Sequence, residues 1–176
     1  FFNDSRKFGW IRVEKTAEVE NENFVKKLGP EPHVAKGFAG QALTLDIFRD
    51  ILSRTKRPVK IVLMDQEKIG GVGNIYANDA LWLAKISPRR SAKGLSLSEG
   101  ERLYESMLKV LKDGIKYQGA SDQWYITAEG KKGSYQEHFL AYGQEGKLCP
   151  RCKKEKFKKY FLGGRGTYYC PNCQKV

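Results

Sequence analysis

No apolar run in this chain approaches the roughly eighteen residues needed to span a membrane, and no signal peptide is visible. The chain is therefore read as soluble and cytoplasmic, with no membrane partner. It also lacks an initiating methionine: the first residue is Phe1, so a start further upstream is expected. Histidine is scarce, with only His33 and His138, and neither is needed as a metal ligand. Cysteine is confined to Cys149, Cys152, Cys170 and Cys173, all near the C-terminal end. Acidic residues are missing altogether from positions 51–64.

What replaces the missing acid is positive charge. The 176 residues carry 32 Lys/Arg against 20 Asp/Glu, a net +12. Residues 144–176 hold nine of those cations against Glu145 and Glu155, a net +7 in the last fifth of the chain. Arg54, Lys56, Arg57 and Lys60 form a second cluster in the acid-free stretch. Clustered positive charge is the electrostatic footprint of a nucleic-acid binder. Ordinary solubilising surface charge is the plainer reading.

The cysteines are spaced CxxC-x17-CxxC. Two disulfides are one possibility. Four thiolates at this spacing in a Lys-rich intracellular chain point instead to one structural Zn2+ held tetrahedrally. The seventeen residues between the pairs have room for a β-hairpin with its tip at Leu162–Thr167, where three glycines surround Arg165. An arginine fork at an exposed turn suits a phosphate, although a solvated turn arginine looks the same in sequence.

The chain is organised around residues 58–90. Pro58 opens a short apolar helix through Met64, and Gly70-Gly71-Val72-Gly73 follow. Asn74 is expected to N-cap a second helix carrying Ile75, Leu81, Leu83 and Ile86, with Pro88 ending it. A glycine turn feeding a helix N-terminus can bind an anion, or can be a tight corner with no ligand. Elsewhere, Thr44 is placed to cap a helix containing Leu45, Ile47, Phe48, Ile51 and Leu52. Ser96 or Ser98 opens the longest helix, with a stripe of Leu103, Met107, Val110, Leu111 and Ile115 ending near Gly119. Its Glu101, Glu105 and Lys109 read as a solvated face. Residues 1–13 read as two short strands around a turn at Asp4-Ser5, and residues 14–43 as a connection broken by Pro30 and Pro32. Tyr135, Phe139, Leu140 and Tyr142 are expected to pack the cysteine module onto the helices.

The run Leu63-Met64-Asp65-Gln66 … Gly71-Val72-Gly73-Asn74-Ile75-Tyr76-Ala77 resembles the helix–two-turn–helix motif of the formamidopyrimidine-DNA glycosylases and endonuclease VIII-type enzymes. The resemblance extends from Asp4 to Lys175. Asp4-Ser5-Arg6-Lys7-Phe8-Gly9 resembles the family's duplex-probing loop, with serine in place of its proline. Leu28-Gly29-Pro30-Glu31-Pro32 resembles its inter-domain linker, residues 120–143 the loop that closes over an extruded base, and the cysteine module its C-terminal zinc finger.

The resemblance implies a chain that is mainly α with a small β part. A helix–two-turn–helix bundle at 44–143 would be followed by a zinc-bound β-hairpin at 144–176. A remnant of a β-sandwich domain at 1–25 and a linker at 26–43 would precede them. It implies one structural Zn2+ and a monomer that binds double-stranded DNA containing a damaged base or abasic site, in a bacterial-type, nucleoid-associated setting. Asn74 and Arg165 would grip phosphates, with a further possible part for Arg165 in elimination. Arg6 would face the base opposite the lesion. Phe8 would wedge into the stack, although on residue type alone Phe8 suits a core. Lys56, Lys60, Gly71 and Gly73 complete the implied DNA-binding set.

The family's nucleophile is an N-terminal proline followed by glutamate, which makes it a glycosylase and AP lyase acting on oxidised purines. Here the one Pro-Glu pair, Pro30-Glu31, is internal, so its nitrogen is an amide. The catalytic set is therefore expected to be absent from these residues. The chain reads as the DNA-binding part of such an enzyme in base-excision repair, or as a catalytically inactive damage-binding protein. An unrelated zinc-ribbon protein would not account for Gly70–Asn74 or Asp4–Gly9.

Overall fold

The computed structural model describes residues 7–32, 42–120 and 133–175. Among the described residues there are five α-helices: α1 (Asn23–Lys26), α2 (Leu45–Ser53), α3 (Val59–Leu63), α4 (Asn74–Leu83) and α5 (Leu97–Lys116). Strands β1 (Lys158–Leu162) and β2 (Arg165–Tyr169) follow as an antiparallel pair. Among the described residues no helix is long and apolar enough to cross a membrane.

Local chemistry sets the helix starts. The Thr44 hydroxyl accepts from the Ile47 N–H at 3.3 Å and caps α2. Ser96, not Ser98, caps α5, in a reciprocal box with Glu99. That box holds the Glu99 carboxyl below its ordinary range, the Ser96 N–H being the main cause and Arg90 a helper. On the expected solvated face of α5, Glu101 pairs with Arg49 at 3.2 Å.

Helix α4 is the axis of the molecule. It packs along α5 and against α3 and β2. Ala77, Ala80 and Leu81 of α4 sit in one apolar cluster with Phe48, Leu63, Ile69, Val72, Leu103 and Met107. Gly114 lets α5 approach closely: a Cβ there would lie 2.4 Å from the Tyr76 hydroxyl. A smaller cluster of Trp82, Ala141, Cys149, Phe157 and Cys170 lies at the other side of α4, with Leu83 and Leu140 touching both. Tyr135, Phe139, Tyr142 and Tyr168 continue this seam as a chain of edge-to-face rings.

Three expected boundaries move. Helix α4 ends at Leu83, well before Pro88, because Ala84 closes it and Lys85 turns into the left-handed region at φ 59°. Residues 7–13 form no strand, as a short strand without pairing partners cannot persist; Trp10 instead packs edge-on against Phe24 at 5.4 Å. The connection at 14–43 contains α1, whose Val25 is buried. Asp4, Ser5, Arg6, His33 and the loop at 121–132 lie outside the described residues. His138 stacks on Tyr117 at 3.6 Å and is remote in role from the cysteines.

Candidate nucleic-acid interface

The glycine turn is tied from three sides. Gln66 donates to the Val72 carbonyl at 2.9 Å and accepts from the Gly71 N–H at 2.9 Å. Gly71 has φ +79°, which L side chains rarely adopt. The linker laces onto the same turn, with Gly29 N donating to Gln66 O at 2.7 Å and Gly70 N to Pro30 O at 3.1 Å. Gly71 and Gly73 are exposed, while Ile69 and Val72 anchor the turn in the core.

Gly73 is the N-cap of α4, and Asn74 is its first helical residue, one position later than expected. The difference matters for chemistry. An N-cap side chain folds back onto its own helix. At the first helical position the Asn74 amide is half-buried, and the helix's i→i−4 bonds begin only with Ala77 N to Gly73 O at 3.0 Å. The first-turn N–H groups precede that ladder and carry the positive end of the helix dipole.

The hairpin comes to the same place. Gly163 and Gly164, with φ of 57° and 71°, make the tight turn, and Arg165 opens β2 opposite Leu162. Arg165 is exposed. A side chain absent from the expected set joins it to Asn74. Asn78, fully buried, donates to the Asn74 side-chain oxygen at 3.2 Å and to the Gly166 carbonyl at 3.3 Å, and accepts from the Tyr168 N–H at 2.8 Å. One amide thus fixes the start of α4 against the residue next to Arg165.

Lys60 does not sit on the surface with the other cations. It is fully buried, and its amine donates to Gly166 O at 2.9 Å and Thr167 Oγ1 at 2.8 Å. Burial, helped by the nearby charge of Arg165, pulls its pKa down to about 7. Lys60 is a strut under the hairpin, out of reach of a phosphate. The other residues of its cluster are exposed: Arg54 pairs with Asp50 at 2.7 Å, Arg57 with Asp65 at 2.9 Å, and Lys56 stands between them. Phe8 is 83% exposed and is not core.

Asp79, next to Asn78, is the second missed residue. Its Oδ1 accepts from the Ala141 and Tyr142 N–H groups at 2.8 and 2.9 Å, and Tyr135 donates to Oδ2 at 3.2 Å. Burial pushes this carboxyl up from its ordinary range, and those donors oppose the shift. An Asn-Asp pair in the middle of an otherwise apolar helix was the available signal, since buried polar groups need partners.

The four cysteine sulfurs lie within 4.8 Å of one another. Cys149 and Cys173 sulfurs are 3.8 Å apart, and Cys152 and Cys170 sulfurs 3.6 Å. A tetrahedron with Zn–S bonds of about 2.3 Å has edges of about 3.8 Å, whereas a disulfide needs about 2.05 Å. The N–H groups of Lys154 and Glu155 bring the Cys152 thiol down to about 6, while burial pushes Cys170 up to about 12. Four thiolates together at this spot require a dication. The donor set fits one structural Zn2+, held by Cys149, Cys152, Cys170 and Cys173.

The sequence pattern of the formamidopyrimidine-DNA glycosylase H2TH domain matches residues 28–125, more than half of the chain. The chain belongs to this family. The pattern of the zinc finger found in FPG and IleRS matches residues 146–176. Among curated relatives, the formamidopyrimidine-DNA glycosylase of Bacillus cereus is 38% identical over 173 residues, covering 98% of this chain and 60% of that protein. That of Pelotomaculum thermopropionicum is 39% identical over 175 residues, covering 99% and 61%. The chain thus spans about 60% of the length of the curated relatives it matches. The MutM (Fpg) protein of Thermus thermophilus superimposes with a TM-score of 0.82 at 36% identity, covering 97% of this chain and 62% of that one. The Lactococcus lactis Fpg, solved in complex with DNA containing an abasic site, gives 0.78 at 34% identity, covering 92% and 56%.

Proposed function

We propose that this chain binds double-stranded DNA carrying a damaged base or abasic site, as the gripping part of a DNA-formamidopyrimidine glycosylase/AP lyase that acts on oxidised purines in base-excision repair. The observation that carries the reading is the bridge through Asn78, which sets Asn74 at the head of α4 beside the turn that bears Arg165. A neutral amide with first-turn N–H groups and an arginine fork can hold adjacent phosphates of one strand. Lys56, Gly71 and Gly73 lie exposed around the same motif. In this reading residues 44–143 bind the duplex and residues 144–176 complete the grip. The solved relatives include Lactococcus lactis Fpg with Fapy-dG DNA and MutM with DNA containing carbocyclic 8-oxo-G, which supports damaged purine DNA as the partner class.

The residues of this chain supply the grip and not the nucleophile. Pro30 is an internal amide whose carbonyl is engaged by the Gly70 N–H. Iminium formation at the sugar needs a free amine beside it. The 176 residues alone are therefore expected to leave no borohydride-trapped adduct with abasic DNA.

Duplex affinity measured across salt concentrations tests the reading. Affinity should fall steeply with salt, because several phosphates are neutralised at once. Asn74→Ala and Arg165→Ala should each weaken binding by roughly tenfold or more on every sequence alike, the loss expected for a hydrogen bond to a charged group. Phe8→Ala should cost more on abasic than on intact duplex, since unstacking is cheaper at a damaged site. Salt-independent binding, or loss on one sequence only, overturns the phosphate assignment. Efficient trapping by the 176 residues overturns the assignment of grip without nucleophile.

A further inference from the structure

Helix α4 has a second end, and the finger holds that end too. The last carbonyls of a helix have no partner within it. Here backbone N–H groups of the following turn reach Ala80, Leu81 and Trp82, and side chains from elsewhere add bonds at the helix end and in that turn. Arg151 donates to Trp82 O at 2.7 Å and to Leu83 O at 3.2 Å, and its guanidinium lies 4.0 Å over the Trp82 ring. Arg102 of α5 donates to Ala84 O at 2.7 Å. Gln174 donates to Ile86 O at 3.0 Å, while its own oxygen accepts from the Cys170 N–H at 2.9 Å. Gln174 is almost fully buried.

The origin of these side chains is the point. Arg151 lies between Cys149 and Cys152, and Gln174 directly follows Cys173. The first knuckle therefore lends a side chain to the end of α4, and the second lends one to Ile86 in the turn that follows it. Lys153, at φ 50°, and the Lys153 N to Cys149 O bond at 2.9 Å close the first knuckle; Gln174 N to Cys170 O at 3.0 Å closes the second. The direction in which Arg151 and Gln174 point is thus set by knuckle geometry. A cation at a helix C-terminus is also favoured by the dipole.

We propose that Arg151 and Gln174 are positioning residues that tie the C-terminal end of α4 and the turn after it to the two cysteine knuckles, so that metal occupancy of the four sulfurs sets the order of that end. Coupling between two sites is reciprocal. Loosening the helix end must weaken metal retention by the same factor. The consequence for Asn74, at the other end of α4, rests on the DNA-binding reading; the coupling itself does not.

Arg102 provides an internal control, because it caps the same end from α5 with no link to a knuckle. The test is NMR-detected amide exchange without DNA, in zinc-saturated and chelated protein, together with chelator competition for zinc affinity. The amides of Ala84, Lys85 and Ile86 report on the helix end, since they bond Ala80, Trp82 and Leu81 carbonyls. Those of Leu103 and Met107 report on the core. Chelation should speed exchange at the helix end by roughly tenfold or more while the core amides stay protected. Arg151→Ala with Gln174→Ala should show fast exchange already with zinc present, no further response to chelation, and weaker zinc binding. Arg151→Lys should restore part of the protection. Arg102→Ala should loosen the end yet keep the response to chelation. If the double variant unfolds, Gln174→Ala alone and chelation of the unaltered protein decide the matter. Unchanged exchange on chelation, uniform acceleration throughout the chain, or wild-type zinc affinity in variants with a loosened end overturns the proposal.

Discussion

The helical part and the finger are built by different physics around one shared helix. The helical cluster is large and apolar, with Phe48, Leu63, Ile69, Leu81, Leu103 and Met107 fully buried. Each such side chain is worth about 1.5–3 kcal/mol relative to exposure. Among the described residues the finger's cluster is smaller, with Trp82, Ala141, Phe157 and two cysteines buried and Leu83 and Leu140 packed at its edge. A core this small does not hold a fold. The finger compensates with metal ligands and with polar anchors, namely Lys60, Asn78, Arg151 and Gln174. Burial stabilises without direction, whereas the anchors fix orientation. Under the proposed function, bringing Asn74 and Arg165 to the same strand calls for the second kind.

The largest effect that separates the two regions is loss of the metal. Chelation should unfold residues 146–176, because structural zinc supplies on the order of 10 kcal/mol to fingers of this kind. The helical core should persist, since none of its members is a ligand. Circular dichroism and near-UV signals recorded with rising chelator check this. One cooperative loss of both regions would mean that they are a single folding unit.

The reverse experiment removes burial and spares the metal. Leu81→Ala empties a fully buried site at the centre of α4 and should cost about 2–5 kcal/mol, depending on how far the cavity collapses. Bound zinc, measured per folded protein, should stay stoichiometric. Denaturant unfolding followed on both regions reads the cost. Zinc release in the folded variant would show that the finger depends on the helical core more than its contacts suggest.

The same division explains what could be read from the sequence. Apolar periodicity and capping chemistry are local, and they marked Thr44, the choice between Ser96 and Ser98, the Gly163-Gly164 turn, and Leu103, Met107 and Val110 of the α5 stripe; Ile115, expected in that stripe, is exposed because it lies in the last turn of α5, beyond the apolar cluster. The CxxC spacing is also local, and it located the metal. Docking is not local. Lys60 sat among cations and read as surface charge, although Val59, Val62 and Leu63 beside it are all core residues. Its partners, Gly166 and Thr167, lie more than a hundred positions away in the chain. Asn78 and Arg151 were missed for the same reason. The early end of α4 belongs here too: Pro88 is a visible stop, but Arg151 and Arg102 gather the carbonyls several residues before it.

Lys60 gives the smallest effect near neutral pH and the sharpest test of how the anchors work. Its amine has two acceptors, Gly166 O and Thr167 Oγ1, which match the two N–H bonds of a neutral amine. Burial first, and Arg165 second, bring its pKa to about 7, against about 10.4 in an unfolded chain. Between these values the unfolded chain binds more protons than the folded one. Stability should therefore rise with pH from about 7 towards 10, by at most about 1.4 kcal/mol per pH unit. Below pH 7 the amine is protonated in both states, and its contribution stops changing. Lys60→Met keeps the volume and removes the titration. Near neutral pH its cost should be within about 1 kcal/mol, because replacing a buried ion by an apolar side chain is often close to neutral. The Gly166 carbonyl keeps its Asn78 donor, and the Thr167 hydroxyl can donate to Arg165 O at 3.2 Å. The measurement is denaturant unfolding of zinc-saturated protein at several pH values, with the variant's profile subtracted from that of the unaltered chain. Other titrating groups cancel in that difference, which should rise above pH 7 and be flat below it. Superimposable profiles would mean that the buried amine keeps its ordinary pKa, and that the finger is held there by an ion rather than by a matched pair of neutral hydrogen bonds.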